Sequence, residues 1–267
     1  MKIYGDYMGN SMKCNGQDGM SMVNLQTYDR VAHTYGHSRC GKGAWRSELD
    51  LLRGRLGDYP QLRLADLGCG TGRVLQYLLE EGIKPEAYVG VDFSRPMLEE
   101  AARWLGPLCQ PRPIAIHEGP LLRAPTPWQR LVQFFTREPA PYALHHAGIC
   151  AMDPDAEMVD VVVMAASLHH LLRREDRETA LELVHWMLAP GGLLYISTWD
   201  VAEAPRSKKD MGQGIWKVHF GGKEGGDRYY YHLSEEELRE LLLYAGFVEV
   251  EFFSLPTGNL VAIAKKG

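Results

Sequence analysis

An apolar segment that runs into three closely spaced glycines is the feature that most constrains how this chain folds. Residues 64–73 read Leu-Ala-Asp-Leu-Gly-Cys-Gly-Thr-Gly-Arg, with Gly68, Gly70 and Gly72 at alternate positions. Glycine permits the tight turn between a buried strand and a helix, where a ligand can lie against backbone N–H groups. The segment therefore predicts a strand, a glycine-rich loop and a helix that together hold a nucleotide-like cofactor.

The spacing of these glycines disfavours an NAD enzyme. The dinucleotide fingerprint is G-x-G-x-x-G, and its third glycine lets the helix pack closely on the strand. Counted from Gly68, that third position is Arg73. A different nucleotide-like cofactor is therefore expected.

A second apolar segment ends in an acid at a distance typical of a βαβ unit. Residues 87–92 read Ala-Tyr-Val-Gly-Val-Asp. In a doubly wound fold, an acid at this point accepts hydrogen bonds from ribose hydroxyls, although such an acid is also a common turn or cap residue. Ser94 and Pro96 fit the N-cap and first turn of the next helix. Asp92 is the predicted ribose ligand.

Together these segments resemble the first two motifs of class I S-adenosylmethionine (SAM) dependent methyltransferases, the first motif being D-x-G-x-G-x-G at 66–72. The apolar run 159–165 and the Pro-Gly-Gly turn at 190–192 extend the resemblance over about residues 60–200. It implies an α/β, doubly wound, seven-stranded, mostly parallel sheet of Rossmann-like type. We also predict an antiparallel C-terminal strand pair. The implied cofactor is SAM, and the implied activity is methyl transfer.

The resemblance also implies which residues hold SAM. In the family, an acid on the third strand recognises the adenine amino group, but residues 146–150 contain no acid here. We therefore predict that the adenine amino group is contacted by a backbone carbonyl near Ile149 or Cys150, or by the carboxylate of Asp153. The predicted cofactor-binding residues are Asp66, Gly68, Cys69, Gly70, Gly72, Asp92, Phe93, Ile149, Cys150 and Ala166.

Segments outside the cofactor core resemble one subfamily, the tRNA wobble-uridine carboxymethyl methyltransferases. Residues 28–39 are similar to its N-terminal pattern, the pair His169-His170 to its histidine pair, and residues 228–232 to its R-Y-Y-H signature. The chain departs from the pattern by one extra tyrosine before His232. The resemblance implies tRNA as a partner and methyl esterification of the carboxymethyl group, and it leaves open a small activator subunit.

The acceptor's chemistry decides which residues act. A carboxylate is already anionic and needs a cation to hold it; Arg39 is the predicted clamp, with Arg228 in reserve. A phenol or an activated carbon needs a general base, which His169 or His170 would supply at the edge of the sheet. A small-molecule O- or C-methyltransferase is therefore the alternative function, and a non-catalytic SAM-binding subunit is the third.

Composition narrows the partners and the compartment. The net charge of -5 over 267 residues describes no dedicated nucleic-acid binder, so tRNA would have to meet a local basic patch or a partner subunit. The five cysteines have no C-x-x-C spacing, and no metal site is predicted. No apolar run approaches the roughly 18 residues of a membrane span, so we expect no membrane partner and a cytoplasmic protein.

Two segments are predicted to lie outside the regular fold. Residues 1–26, rich in Met, Gly, Asn and Ser, are predicted to be a disordered leader before a single methyltransferase domain at 27–267. Prolines recur between 107 and 141 around an amphipathic piece at 128–135. We predict that this insertion packs as a lid or a partner surface and stays out of the central sheet.

Overall fold

The computed structural model describes residues 19–39, 45–110, 113–118, 142–149, 159–201, 207–220, 225–256 and 258–267, with the side chains of 36–39 and 58 excepted. The helices are α1 (Gly19–Arg39), α2 (Trp45–Arg53), α3 (Arg73–Glu80), α4 (Arg95–Leu105), α5 (Arg174–Met187) and α6 (Glu235–Tyr244), with short 3-10 turns at Leu56–Asp58 and Leu168–His170. The strands are β1 (Arg63–Leu67), β2 (Ala87–Asp92), β3 (Ile114–Glu118), β4 (Tyr142–His146), β5 (Val159–Ala165), β6 (Leu188–Trp199), β7 (Lys208–Gly212), β8 (Ile215–Phe220), β9 (Gly226–Tyr231), β10 (Phe247–Ser254) and β11 (Asn259–Lys266).

An eight-stranded sheet in the order β10-β11-β6-β5-β1-β2-β4-β3 forms the centre of the fold. The strands from β6 to β3 pair in parallel, whereas β11 is antiparallel to both β6 and β10. Successive residues of β5 enter two different apolar cores, Val161 one and Val162 the other, so both faces of the sheet are covered. The predicted Rossmann-like class and its antiparallel C-terminal pair are confirmed.

Strand β3 corrects the prediction for the 107–141 insertion. Ile114–Glu118 pairs in parallel with β4, beginning at Ile114 opposite Tyr142. This edge strand is the eighth strand of the sheet. The prolines that argued against regular structure flank it instead of interrupting it, and Pro113 still offers its carbonyl to the Tyr142 amide at 3.0 Å. Residues 119–141, including the piece at 128–135, lie outside the described residues.

Helix α1 corrects the predicted boundary of the 1–26 leader. The helix begins at Gly19, so residues 19–26 are ordered, while residues 1–18 lie outside the described residues. The buried face of α1 carries polar residues, Asn24 and Thr27, which hydrogen-bond to the backbone of β9. Because this face packs through hydrogen bonds, it lacks the apolar period from which a helix is predicted.

A second, antiparallel sheet, β7-β8-β9, lies between β6 and α6 in the chain. Its last strand contacts both α1 and the 3-10 turn Leu168–His170 that follows β5. This small sheet therefore joins α1 to the C-terminal edge of the central sheet. In the part of the chain that the structure describes, no helix has the length and apolarity to cross a membrane.

Candidate active site

A cavity of about 430 Å³ opens at the C-terminal ends of β1, β2, β4 and β5, beneath helix α1. Parallel α/β sheets bind ligands at this edge, and the volume falls within the range of small-molecule sites. Its floor is formed by the glycine loop and by the ends of the strands. Its roof is formed by six residues of α1: Ser21, Met22, Asn24, Leu25, Tyr28 and Tyr35.

The glycine loop reaches the cavity in a left-handed backbone conformation. Gly68 has φ +81°, and a Cβ atom there would lie 2.4 Å from the Cβ of Ser167. Gly72 has φ +80°, and a Cβ atom there would lie 2.4 Å from Cδ1 of Leu105 in α4. The cavity is lined by Gly68, Cys69 and Gly70, whereas Gly72 allows helices α3 and α4 to pack closely.

Asp92 ties the end of β2 to this loop. Its Oδ2 accepts a hydrogen bond from the Gly70 amide and its Oδ1 one from the Ser94 amide, both at 2.8 Å. Burial raises the pKa of Asp92 to about 6, although the amides of Ser94 and Gly70 act in the opposite direction. A carboxylate oxygen accepts more than one hydrogen bond, so Asp92 can also receive ribose hydroxyls from the cavity.

Asp66 lies beneath the loop and is not among the described residues that line the cavity. Its side chain is fully buried, and the Tyr88 hydroxyl donates a hydrogen bond to Oδ2 at 3.1 Å. Burial raises the pKa of Asp66 to about 7. Asp66 therefore supports the glycine loop from below.

Phe93, His146 and Ile149 line the cavity next to Asp92. The Nε2 atom of His146 donates to the Phe93 carbonyl at 3.1 Å, and Nδ1 contacts the Glu118 carboxylate at 2.8 Å. This histidine therefore fixes the backbone beside the ribose acid. Ala166, on the opposite side, lines the cavity with a strained φ of 57°, and its amide is held by Ser197.

The two adjacent histidines occupy different environments. His170 lines the cavity, whereas His169 is buried behind it, with its Nδ1 accepting a hydrogen bond from the Trp199 amide at 3.2 Å. Burial, with a further contribution from Arg228, lowers the pKa of His169 to about 3. His169 is therefore a neutral packing residue, and His170 is the histidine that an acceptor can reach.

Arg228 stands behind this end of the cavity. Its side chain is buried, its Nη1 donates to the Tyr28 hydroxyl at 2.9 Å, and the same hydroxyl lies 2.9 Å from Nε2 of His170. The guanidinium carbon lies 3.7 Å from the ring centroid of Phe220. Within the described ranges, Arg228 forms no ion pair with a carboxylate. A buried, permanently charged group thus lies one hydroxyl away from the cavity.

Two predicted site residues fall outside what the structure describes. Arg39 is the last residue of α1, but its side chain is not among the described ones, and Cys150 lies in a segment that is not described. Sequence analysis singled out Tyr28 and Tyr35 only as parts of a pattern, and it missed the other four roof residues because they fell in the predicted leader. The cavity is also lined by Arg73 and Asp176, which no motif predicted as site residues.

Comparison with known proteins identifies the domain. A family model described as a methyltransferase domain matches residues 39–251, most of the chain. The chain belongs to this methyltransferase family. SAM is accordingly its cofactor, as it is for many of the proteins that share this fold.

Individual relatives of this methyltransferase are distant. Carboxy-S-adenosyl-L-methionine synthase from Trichodesmium erythraeum (strain IMS101) is 26% identical over 202 residues, covering 72% of this chain and 68% of that protein. The CcbJ methyltransferase from Streptomyces caelestis superposes with a TM-score of 0.61 at 18% identity, covering 90% and 98% of the two chains. SAM-bound CalS10, an amino pentose methyltransferase from Micromonospora echinaspora, gives a TM-score of 0.56 at 16% identity, covering 88% and 97%. The two structural likenesses show the shared fold.

The residues around the cavity fit SAM. No atom lies within 4 Å of the place where a Cβ atom of Gly70 would stand, Asp92 can receive the ribose hydroxyls, and Phe93 and Ile149 offer apolar contact beside it. When bound, SAM supplies a methyl group on a sulfonium sulfur to a nucleophile at the acceptor end. Among the described residues, no group of three His, Cys, Asp or Glu is arranged to hold a metal ion.

Proposed function

We propose that this methyltransferase esterifies a carboxylate, and that the carboxymethyl group of a tRNA wobble uridine is the acceptor. One observation carries the proposal: the buried guanidinium of Arg228 lies behind the Tyr28 hydroxyl without a carboxylate partner in the described part of the chain. An unpaired buried cation is costly, and an anion entering the cavity offsets that cost. An anionic acceptor therefore fits this end of the site.

The histidines support the same chemistry. Burial, followed by the influence of His169 and Arg228, holds the pKa of His170 well below its usual range. A histidine of such low basicity is a weak general base for a phenol or a carbon acid at neutral pH. A carboxylate is already ionised at neutral pH and needs no base. The acceptor end is thus better suited to holding an anion than to removing a proton.

The choice of tRNA rests on the sequence resemblance at 28–39, 169–170 and 228–232. All three segments contribute to one side of the fold: Tyr28, His170 and Arg228 are linked by hydrogen bonds of 2.9 Å. Residues from distant parts of the sequence that resemble the same subfamily therefore meet around one hydroxyl group. This convergence supports the wobble-uridine acceptor.

A small-molecule acceptor is the second candidate. It is favoured by helix α1, which covers the acceptor end and leaves a cavity of about 430 Å³. It is also consistent with the likeness to CalS10, an amino pentose methyltransferase. A polynucleotide would have to present a single flipped base to a site of this size, and a free small molecule would not.

Methyl transfer from isotope-labelled SAM tests the proposal. The acceptors are tRNA that carries 5-carboxymethyluridine, a panel of small carboxylates, and a panel of phenols. We expect label in the tRNA that mild alkali releases as methanol, as it does from an ester. Alkali-labile label in small carboxylates alone would favour the second candidate, and alkali-stable label in a phenol would contradict ester formation.

A further inference from the structure

The Tyr28 hydroxyl has three hydrogen-bonding neighbours, Arg228, His170 and Tyr230. Arginine has only donors, so the hydroxyl oxygen accepts the bond from Nη1 of Arg228. The single proton of the hydroxyl can then point to Nε2 of His170, 2.9 Å away. This direction requires the tautomer of His170 that accepts at Nε2 and carries its own proton on Nδ1, which the inference below adopts. The chain runs from Arg228 through Tyr28 to His170.

The ring of Tyr28 sits where the cofactor end and the acceptor end of the cavity meet. It packs edge-on against Phe93, which follows the ribose acid, at a centroid distance of 6.1 Å, and against His170 at 5.3 Å. Tyr28 and His170 both line the cavity, whereas Arg228 does not. The positive charge of Arg228 therefore reaches a ligand through the hydroxyl of Tyr28.

We infer that Tyr28 determines acceptor specificity: its hydroxyl turns its proton from His170 to the incoming carboxylate, with Arg228 supplying the positive charge behind it. The inference rests on the proposed ester chemistry. A hydrogen bond to a charged acceptor is about twice as strong as one to a neutral acceptor, which favours the carboxylate over the imidazole. An amide of the same shape gains no such advantage.

The proton of Tyr28 stays on Tyr28 throughout. In the transfer, a carboxylate oxygen forms the new bond to the methyl carbon while the carbon–sulfur bond breaks and its electron pair remains on sulfur. No proton is taken up or released, so the rate is expected to stay flat between about pH 8 and 6.5. The charged and titratable groups around this position are Asp29 and Tyr35 on α1, Arg228 and Tyr230 on β9, His169 and His170 in the 3-10 turn, Asp92 at the end of β2, and Asp176 on α5.

Binding to the protein loaded with S-adenosylhomocysteine (SAH) tests the inference without turnover. The probes are two pairs that differ in charge and not in shape: 5-carboxymethyluridine with 5-carbamoylmethyluridine, and phenylacetate with phenylacetamide. We expect the wild-type protein to prefer the carboxylate of at least one pair by about 10-fold or more. Tyr28→Phe should lose most of that preference because it binds the carboxylate probe more weakly, and its affinity for SAH should be unchanged. Tyr59→Phe removes a hydroxyl that bonds to Gly191 outside the cavity, and it should match the wild type.

Nitrogen NMR of the imidazoles adds a readout on the unaltered protein. We expect His170 to be the neutral Nδ1–H form, and its Nε2 resonance to shift when the carboxylate probe draws the Tyr28 proton away. Full carboxylate preference in Tyr28→Phe, or an unmoved Nε2 resonance when the carboxylate binds, would overturn the role of Tyr28 and leave the proposed function standing. Absence of any carboxylate preference in the wild-type protein would overturn both.

Discussion

The Gly70 amide donates a hydrogen bond to the Asp92 carboxylate over 2.8 Å, so the glycine loop and the end of β2 hold each other at the floor of the cavity. The other oxygen of Asp92 holds the Ser94 amide, at the N-cap of α4. One side chain thus shapes the loop, holds the start of a helix and lines the cavity. We therefore expect cofactor binding and local backbone order to be coupled through Asp92.

Asp92→Ala is expected to weaken SAH binding by one to two orders of magnitude. The change removes charge-assisted hydrogen bonds to the ribose, worth about 2 to 3 kcal/mol, and it frees the Gly70 amide. Calorimetry on the folded variant measures the effect, and Asp210→Ala is the control for a surface acid. An unchanged dissociation constant would refute the assignment of Asp92.

The pH dependence of SAH binding is expected to follow Asp92. Its pKa of about 6 lies above the ordinary value, so the carboxylate is protonated below that pH and becomes a poorer acceptor. SAH affinity should be flat above about pH 6.5 and fall below pH 6. Stability without ligand should move the other way, decreasing as pH rises from about 4 to 6, because the folded state binds the proton more tightly. Calorimetry and denaturant unfolding across this range would separate the two. Asp92→Asn should flatten the affinity curve and reduce the stability slope to the part that comes from other buried acids, such as Asp66.

Asn24→Ala is expected to lower the free energy of unfolding by about 2 kcal/mol. The Asn24 side chain donates to the Tyr229 carbonyl at 2.8 Å and accepts from the Tyr229 amide at 2.7 Å, and both bonds are lost. Hydrogen exchange should rise in α1 and β9 and stay unchanged in β1 and β5. Equal protection of α1 in the variant and the wild type would contradict the packing of α1 on β9.

His169→Ala is expected to destabilise the fold by about 2 to 4 kcal/mol while SAH affinity changes less than about twofold. The substitution leaves the Trp199 amide without its acceptor and opens a cavity beneath Tyr230. His169→Asn, which keeps an acceptor, should recover part of the loss. A variant with normal unfolding but abolished methyl transfer would show instead that His169 acts on the acceptor.

Local sequence signals predicted several elements correctly. The alternating glycines at 68–72, the acid at 92 and the capping box at 234–237 are patterns that each span only a few residues, and the structure has Ser234 accepting from the Glu237 amide at 3.2 Å. Strand β2 also has the bounds of the apolar segment at 87–92. Such features are decided by backbone geometry close to the residue in question.

The sequence by itself determined the βαβ order, the glycine loop and the position of the acid at the end of β2, because these are local patterns. Only the tertiary structure decided that α1 begins at Gly19, that β3 joins the sheet, and that His170 faces the cavity while His169 is buried. Only the tertiary structure, too, brought Tyr28 and Arg228, 200 residues apart, to within 2.9 Å. Hydrogen bonds across such separations leave no period in the sequence, since the partner of each polar group is chosen by packing.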